Sequence, residues 1–193
     1  MSLDFLTPSP DVLAHSPMER CARAAGARFE ARDGWLVAVA YDRPPAATGW
    51  ADLSHLGKLE VAGPPEPDWH ALSPRRSLVI GDVGELRERL GVRAIDVTTA
   101  YAALAIVGPD AREVLARQCA LDLRPRATPV GAVRPGSVAR TPAVVIREAE
   151  ERYLVLFGAA LGEYMWTALA DAAEHLGGGP IGADALTAAA THA

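Results

Sequence analysis

The dipeptide Ser54-His55 places a hydroxyl beside an imidazole, two groups that together can form an activated nucleophile. Adjacent residues of a strand point to opposite faces, so this pair is out of hydrogen-bond contact if the segment is extended. The motif G-x-S-x-G, which presents a nucleophilic serine on a sharp turn, does not occur in the chain. We therefore expect no Ser-His nucleophilic site.

The spacing of the histidines and cysteines shows whether they could bind a metal. No two histidines stand four residues apart, and neither Cys21 nor Cys119 has another Cys or a His within four residues. The two cysteines are 98 residues apart and do not form a disulfide framework. We expect no protein-bound metal, and a reducing, cytoplasmic location.

An aromatic and basic cluster lies in residues 64–77, a segment with four prolines that we predict to be an irregular connector. Trp69-His70 and Arg75-Arg76 are candidates for clamping an anion or a flat ring, because arginine both stacks and forms forked bonds to carboxylates. The alternative is a loop that lies over the protein's own core with solvated arginines.

Three more arginines are candidates for binding a ligand or forming an ion pair. Arg124 and Arg126 flank Pro125 and either clamp an anion or a flat ring or are solvated side chains. Arg140 falls inside a predicted strand, where a buried arginine needs a partner. It is a candidate for a salt bridge or for a ligand contact.

These residues must be positioned by regular elements, and several are indicated by local pattern. Ser16 to Glu19 forms a capping box that predicts a helix ending at Gly26. Asp33-Gly34 predicts a hairpin turn between two strands. The other predicted elements are strands Asp52–Val61, Leu78–Gly81, Val92–Thr98 and Tyr101–Val107, helices after Asp82 and Asp110, a turn at Arg134–Gly136, a hairpin of Ser137–Arg147 with Arg152–Phe157, and a final helix with Leu161, Tyr164, Met165 and Leu169 inward.

Composition limits the classes of function. The chain has 193 residues, half of them hydrophobic, and a net charge of −5, which argues against a nucleic-acid binder. No apolar run reaches the length of a transmembrane helix, and no signal peptide is visible. We expect a flexible leader over 1–15, one domain over 16–186 and a frayed tail over 187–193.

An internal similarity divides that domain. Asp52-Leu-Ser-His with a strand closed by Gly63-Pro64 is echoed by Asp96-Val-Thr-Thr with a strand closed by Gly108-Pro109. The pattern indicates two pseudo-repeated halves, roughly 16–91 and 92–186, each of which needs the other to bury its sheet. Chance similarity of two amphipathic strands is the alternative.

These stretches together resemble a known family. Ala25-Gly-Ala-Arg-Phe, Asp33-Gly-Trp and the run from Asp52 to Pro64 are similar to the opening of the glycine-cleavage T-protein, a folate-dependent aminomethyltransferase of one-carbon metabolism. Residues 119–136 and Tyr164-Met-Trp are more similar to the gamma subunit of heterotetrameric sarcosine oxidase. The resemblance implies an α+β fold of two intertwined ferredoxin-like halves, the T-protein folate-binding-domain type, without the family's C-terminal barrel domain.

Departures from the T-protein pattern concern its ligand-binding residues. Glu66 and Asp68 do not match the family's catalytic aspartate, and Pro142-Ala-Val-Val-Ile replaces its Tyr-Thr-Gly-Glu. Ala183-Asp-Ala-Leu-Thr lacks both arginines of the corresponding family segment. The resemblance therefore implies no catalytic residue. It leaves three candidates for folate or ligand binding within the matched motifs: His55, Lys58 and Arg140.

The function that this resemblance implies is a catalytically silent accessory subunit of a sarcosine oxidase-like or one-carbon complex. Such a subunit binds no cofactor of its own, and flavin is carried by flavoprotein partners. The candidate partner contacts are Trp69, Arg75, Arg76, Arg124 and Arg126. The alternatives are a standalone folate-dependent one-carbon transferase with a rearranged site, which would use tetrahydrofolate, and a small-molecule binding module.

Overall fold

The structure is a computed structural model that describes residues 12–190. Its described elements form three β-sheets with helices packed on them. In chain order they are β1 Ala14–His15, α1 Glu19–Ala24, β2 Ala27–Arg32, β3 Trp35–Tyr41, β4 Gly49–Asp52, β5 Gly57–Ala62, β6 His70–Ser73, β7 Arg76–Gly81, α2 Val83–Leu90, β8 Ala94–Asp96, β9 Tyr101–Val107, α3 Ala111–Ala116, β10 Val133–Val138, β11 Thr141–Ala149, β12 Arg152–Gly158, α4 Gly162–Glu174, β13 Gly179–Pro180 and α5 Ala183–Ala190.

The largest sheet has six strands in the order β10-β11-β12-β9-β4-β13. Its central strands β9 and β12 are apolar at nearly every position, because both faces of the sheet are covered. Side chains of α3 and α4, including Leu115 and Leu169, pack with one face and are fully buried. The other face packs with Leu78 of β7 and Leu186 of α5.

A second sheet has four strands in the order β6-β7-β5-β8. Leu86 and Leu90 of α2 pack against Leu59, Val61 and Val79 on one face. The predicted cap of this helix is confirmed, since the Asp82 carboxylate accepts a bond of 2.9 Å from the Glu85 amide.

The predicted hairpin at Asp33-Gly34 is also confirmed. Strands β2 and β3 pair antiparallel on either side of it, and β1 pairs parallel with β3. Asp33 and Gly34 both have positive φ, at 49° and 77°, which is the conformation that the two central residues of this turn require.

The single strand predicted over Asp52–Val61 is wrong. The chain forms β4 up to Asp52, turns, and resumes as β5 at Gly57 in the other sheet. The Asp52 carboxylate accepts a bond of 2.9 Å from the Ser54 amide, which closes this turn. The segment predicted as one strand therefore contains the end of β4, a turn and most of β5, and it connects the two sheets.

The capping box predicted at Ser16 is wrong as well. Helix α1 begins at Glu19 without a side-chain cap. The Ser16 hydroxyl accepts a bond from the Met18 amide and donates to Asp52, 36 residues away. The hydroxyl therefore joins a local amide, two residues further on rather than three, to a tertiary carboxylate.

The connector predicted over 64–77 contains regular structure. It includes β6 and the first residues of β7, which pair antiparallel around Pro74-Arg75. The backbone amide of Gly63 donates to the Arg75 carbonyl at 3.0 Å, next to the Ala62–Arg76 pair, and so ties the turn of this hairpin to the end of β5.

The turn predicted at Arg134–Gly136 lies instead inside β10, the edge strand of the six-stranded sheet, where proline is tolerated. The turn is at Ala139-Arg140, whose φ values of 47° and 62° are positive, and it divides the predicted strand Ser137–Arg147. Arg140 is exposed there, so the expectation of a buried arginine at this position is wrong.

The last predicted helix corresponds to α4, and Met165 and Leu169 are fully buried as expected. Tyr164 is not in the core. Its side chain is half exposed at the border of the buried stripe, and its hydroxyl donates to the Ala139 carbonyl at 2.8 Å.

The two predicted ends of the chain fall largely outside the described residues. Of the leader, residues 1–11 are outside, and Ala14–His15 form β1. Of the tail, residues 187–190 fall within α5, and 191–193 are outside. No helix within 12–190 has the length and hydropathy needed to cross a membrane.

Candidate functional site

The turn between β4 and β5 holds a buried carboxylate. Asp52, at the end of β4, is 8% exposed. One carboxylate oxygen accepts the amide of Ser54 at 2.9 Å, and the other accepts the hydroxyl of Ser16. The carboxylate therefore joins the segment before α1 to the crossing between the two sheets.

Lys58, the only lysine of the chain, lies six residues further on and is fully buried. Its ammonium group donates to the carbonyls of Ser54 at 2.9 Å and Leu56 at 2.7 Å, with the Thr98 carbonyl at 3.5 Å. A buried ammonium group needs such acceptors, since an unpaired one loses its hydration without replacement. Lys58 thus links two carbonyl groups of this turn from the interior of the protein.

The electrostatics of this turn depend on burial. Burial lowers the pKa of Lys58 to about 8, although the carboxylates of Asp52 and Asp96 oppose the shift. Burial also raises the pKa of Asp52, against the hydrogen bonds from Ser16 and Ser54 and the attraction of Lys58. Each charged group is therefore stabilised in part by the other.

Two hydroxyl residues connect this cluster to the echoed motif of the second half. The Ser54 hydroxyl oxygen accepts the amide of Ala103 at 3.2 Å. The Thr98 hydroxyl oxygen accepts the amide of Lys58 at 3.0 Å, and its own amide donates to Asp96 at 2.9 Å. The Asp-x-Ser and Asp-x-Thr segments form equivalent carboxylate-to-amide turns and lie side by side.

His55 does not share this network. It is half-buried, and burial lowers its pKa to about 4, with repulsion from Lys58 in the same direction. Its imidazole is therefore neutral at pH 7. Within residues 12–190 no hydrogen bond joins it to Ser54, whose hydroxyl oxygen accepts the Ala103 amide.

A cleft of about 370 Å³ opens beside the cluster. Ser54, Thr98, Thr99 and Tyr101 supply hydroxyl groups to its lining, and Trp35 supplies an aromatic wall. No lining residue carries a carboxylate, an ammonium or a guanidinium group; His15 is the one titratable imidazole. The cleft can bind a small polar molecule by hydrogen bonds, but it presents no acid or base of fixed charge.

The three predicted ligand residues are not brought together. His55 and Lys58 are on the same turn, whereas Arg140 lies between β10 and β11. Strand β10 is four strands from β4 in the sheet, a separation of roughly 19 Å at the usual strand spacing.

The predicted partner residues of the β6–β7 region are mostly engaged by the chain itself. Trp69 is half-buried and packs on the cluster of Leu59 and Val61, which is the alternative considered for this segment. Arg76 forms a forked pair with Glu60, at 2.6 and 2.8 Å. Arg75 is exposed in the turn.

The second predicted partner segment is more open. Arg124 pairs with Asp122 at 2.7 Å, and both side chains are exposed. Arg126 is exposed next to them, and no ion pair to it occurs among the described residues. This segment remains a candidate contact surface.

Sequence reasoning missed Arg147, which is the buried arginine of the structure at 4% exposure. Its guanidinium donates to the carbonyls of Thr128 at 2.9 Å, Glu150 at 3.0 Å and Ala149 at 3.3 Å, and it lies 5.7 Å from the ring centre of Tyr153. Its position at the end of the apolar run Ala143–Ile146 was the available signal.

Metal ligation gives no further site. Among residues 12–190, no three His, Cys, Asp or Glu side chains lie close enough together to hold an ion. Cys21 and Cys119 are free and partly buried.

Comparison with known sequences identifies the family. Residues 74–190, more than half of the chain, match the profile of the GCVT N-terminal domain. The chain belongs to the GCVT N-terminal domain family. No curated protein matches the whole sequence closely enough to add a relative.

Solved structures place this GCVT N-terminal domain in the same fold. A chain of the heterotetrameric sarcosine oxidase from Corynebacterium sp. U-96, in complex with pyrrole 2-carboxylate, has a TM-score of 0.61 and 20% identity; the match covers 81% of this chain and 93% of that one. The glycine cleavage system aminomethyltransferase T from Bartonella henselae has a TM-score of 0.64 and 17% identity, with 81% of this chain and 57% of that one covered. At these identities the likeness shows the fold, a mixed α/β arrangement like that of T-protein.

Proposed function

We propose that this GCVT-type domain is a catalytically silent, accessory subunit of a sarcosine oxidase-like amine-oxidising or one-carbon complex. The observation that carries the proposal is the state of the Asp52 and Lys58 side chains. Both charged groups of the family-like turn are bonded to the chain's own backbone and hydroxyls. These bonds occupy both groups within the chain, which favours a structural role for them over proton transfer or the orientation of a substrate.

Tetrahydrofolate, the cofactor that the resemblance implies, does not fit the residues present. Its recognition calls for charged hydrogen bonds, and the described residues that line the cleft beside the turn offer hydroxyls and the His15 imidazole in place of a carboxylate and an arginine. In this proposal the chain carries no cofactor, and flavin belongs to a flavoprotein partner. The coverage of 93% of a sarcosine oxidase chain supports the comparison with a subunit of that size.

The interleaving of the two pseudo-repeated halves is part of the same proposal. We assign 16–91 and 92–186 to the two halves of a duplicated, intertwined unit. What supports this is the position of β4, which lies in the six-stranded sheet next to β9 of the other half. The paired Asp-x-Ser and Asp-x-Thr turns support it too.

Calorimetric titration of the purified chain with tetrahydrofolate tests the cofactor part. We expect no binding in the micromolar range, since each lost charged hydrogen bond is worth about 1.5–3 kcal/mol. An active T-protein titrated in parallel is the positive control. A micromolar or tighter dissociation constant, together with aminomethyl transfer by the chain alone, would establish the one-carbon transferase alternative instead.

Co-expression with flavoprotein subunits encoded near this chain tests the partner part. We expect a complex that co-purifies with flavin absorbance and that is weakened by Arg126→Glu. Arg112→Glu, an equal charge reversal at an exposed position on α3, is the matched control. A chain that stays monomeric with every such subunit contradicts the accessory role.

A further inference from the structure

A second, larger cleft has a volume of about 1040 Å³ and shares no lining residue with the cleft beside Ser54 and Thr98. It is bounded by the segment before β4, the end of β9, the β11–β12 turn and α5. Its walls are apolar and small, with side chains of Pro45, Ala47, Val107, Ile181 and Leu186. A cleft of this size and lining is typical of sites for organic molecules.

More acidic than basic side chains line this cleft. Glu148, Glu150 and Glu151 line it together with a single cation, Arg152. Arg152 pairs with Glu148 at 2.7 Å, which leaves the carboxylates of Glu150 and Glu151 outside any ion pair among the described residues. The three carboxylates outnumber the guanidinium groups of Arg152 and of Arg147, which is bonded to the carbonyls of the same turn, so the mouth of the apolar cleft carries a net negative charge.

The acidic turn is held in place from inside the protein. Arg147 donates to the carbonyls of Ala149 and Glu150, and the Gly108 amide donates to the Glu151 carbonyl at 2.9 Å. A turn whose backbone is fixed keeps Glu150 and Glu151 beside the cleft, so that binding has to order their side chains but not the turn itself.

We propose that this cleft binds an organic cation with an apolar body, such as an alkylammonium or arylalkylammonium compound. The apolar walls take the hydrocarbon part, and the carboxylates of Glu150 and Glu151 attract the cationic end. The proposal is independent of the subunit role, because it uses neither the Asp52–Lys58 turn nor the arginines of the candidate contact surface.

Three probes of equal chain length separate the two contributions. The purified chain is titrated calorimetrically with n-octylammonium, 1-octanol and octanoate, and backbone amide shifts locate the bound probe. We expect octylammonium to bind at least fivefold more tightly than 1-octanol and octanoate to bind more weakly than either. Equal affinities of octylammonium and octanoate, or no saturable binding, would overturn the proposal.

Variants assign the effect to this cleft. The double variant Glu150→Gln/Glu151→Gln should bring octylammonium and 1-octanol within twofold of each other, whereas Glu88→Gln/Glu174→Gln removes the same charge from exposed positions on α2 and α4 and should retain the fivefold preference. Ala47→Trp, at an exposed lining position, should weaken octylammonium at least fivefold with unchanged circular dichroism. If Ala47→Trp binds as the wild type does, the cleft is not the site.

Discussion

The cations of this molecule fall into two regions that differ in how their charge is compensated. Lys58 and Arg147 are buried, and each is bonded to several backbone carbonyls. Arg76 and Arg124 lie at the surface, where each forks onto one carboxylate. Backbone carbonyls are fixed by the fold, whereas a surface carboxylate is one of two mobile partners in water.

Buried and surface cations therefore have different roles in this protein. A buried cation bonded to carbonyls determines where turns lie, since its removal leaves acceptors without donors in the interior. A surface arginine can be exchanged with little effect on folding and is available for contact with a partner. The predictions below test this contrast from the largest expected effect to the smallest.

Substitution Lys58→Met should lower the free energy of unfolding by about 3–5 kcal/mol, because it leaves the buried Asp52 charge and two carbonyls without their cation. Methionine keeps most of the side-chain volume, so lost packing is small. Urea unfolding at pH 7 measures the change. A loss below about 1 kcal/mol would show that the buried ammonium is dispensable.

A double-mutant cycle with Asp52→Asn sharpens this prediction. The two single losses should exceed the loss in the double variant by about 0.5–3 kcal/mol, as expected for charges that act on each other. Simple additivity would mean that each group is stabilised only by its own hydrogen bonds.

Substitution Arg147→Met should cost about 1.5–3 kcal/mol, the value of hydrogen bonds from a charged donor. The carbonyls of Ala149 and Glu150 lose their donor, so the β11–β12 turn should also become more open. Denaturant unfolding gives the first effect and amide hydrogen exchange in residues 148–151 the second. Unchanged exchange there would contradict the positioning role of Arg147.

The pH dependence of stability should carry the signature of Lys58. Burial lowers its pKa to about 8, while in the unfolded chain it stays near 10.5. Between these values the unfolded chain binds a proton that the native state does not, so the Lys58 contribution to the free energy of unfolding increases with pH. The difference between wild type and Lys58→Met should therefore be larger at pH 10 than at pH 7.5.

Subtraction of the variant removes the opposing contributions of Cys21 and Cys119, whose pKa values are raised by burial. Urea midpoints at the two pH values suffice for the measurement. A difference that is constant or shrinks with pH would show that Lys58 does not titrate in this window.

Substitution Arg76→Gln should change the free energy of unfolding by less than about 1 kcal/mol, although its bonds to Glu60 are short. Arg76 lies on β7, the strand paired with β5 that carries Lys58, so it is the matched surface control. The same urea experiment applies, with 0.5 M salt added to reduce any residual effect, an ionic strength at which the screening length is on the order of 4 Å. A loss comparable to that of Lys58→Met would erase the distinction between the two regions.

Local patterns predicted the elements whose determinants lie within a few residues. The Asp33-Gly34 turn, the Asp82 cap and the inward stripe of α4 need only neighbours in the chain. The resemblance to T-protein likewise came from short motifs. In the candidate site, Lys58 was singled out within a matched motif, whereas His55 of the same motif lies outside the hydrogen-bond network. Arg147 was missed, and Arg140 was assigned to a strand that it does not occupy.

The sequence by itself determined the hairpin, the two amphipathic helices α2 and α4, and membership of the family. Only the tertiary structure decided that the Ser16 hydroxyl donates to Asp52, and that the Lys58 amide donates to Thr98 of the second half. These partners are 36 and 40 residues apart. Helical and strand periodicities describe contacts within about four residues, so a partner chosen by the packing of two sheets has no signature in the local pattern.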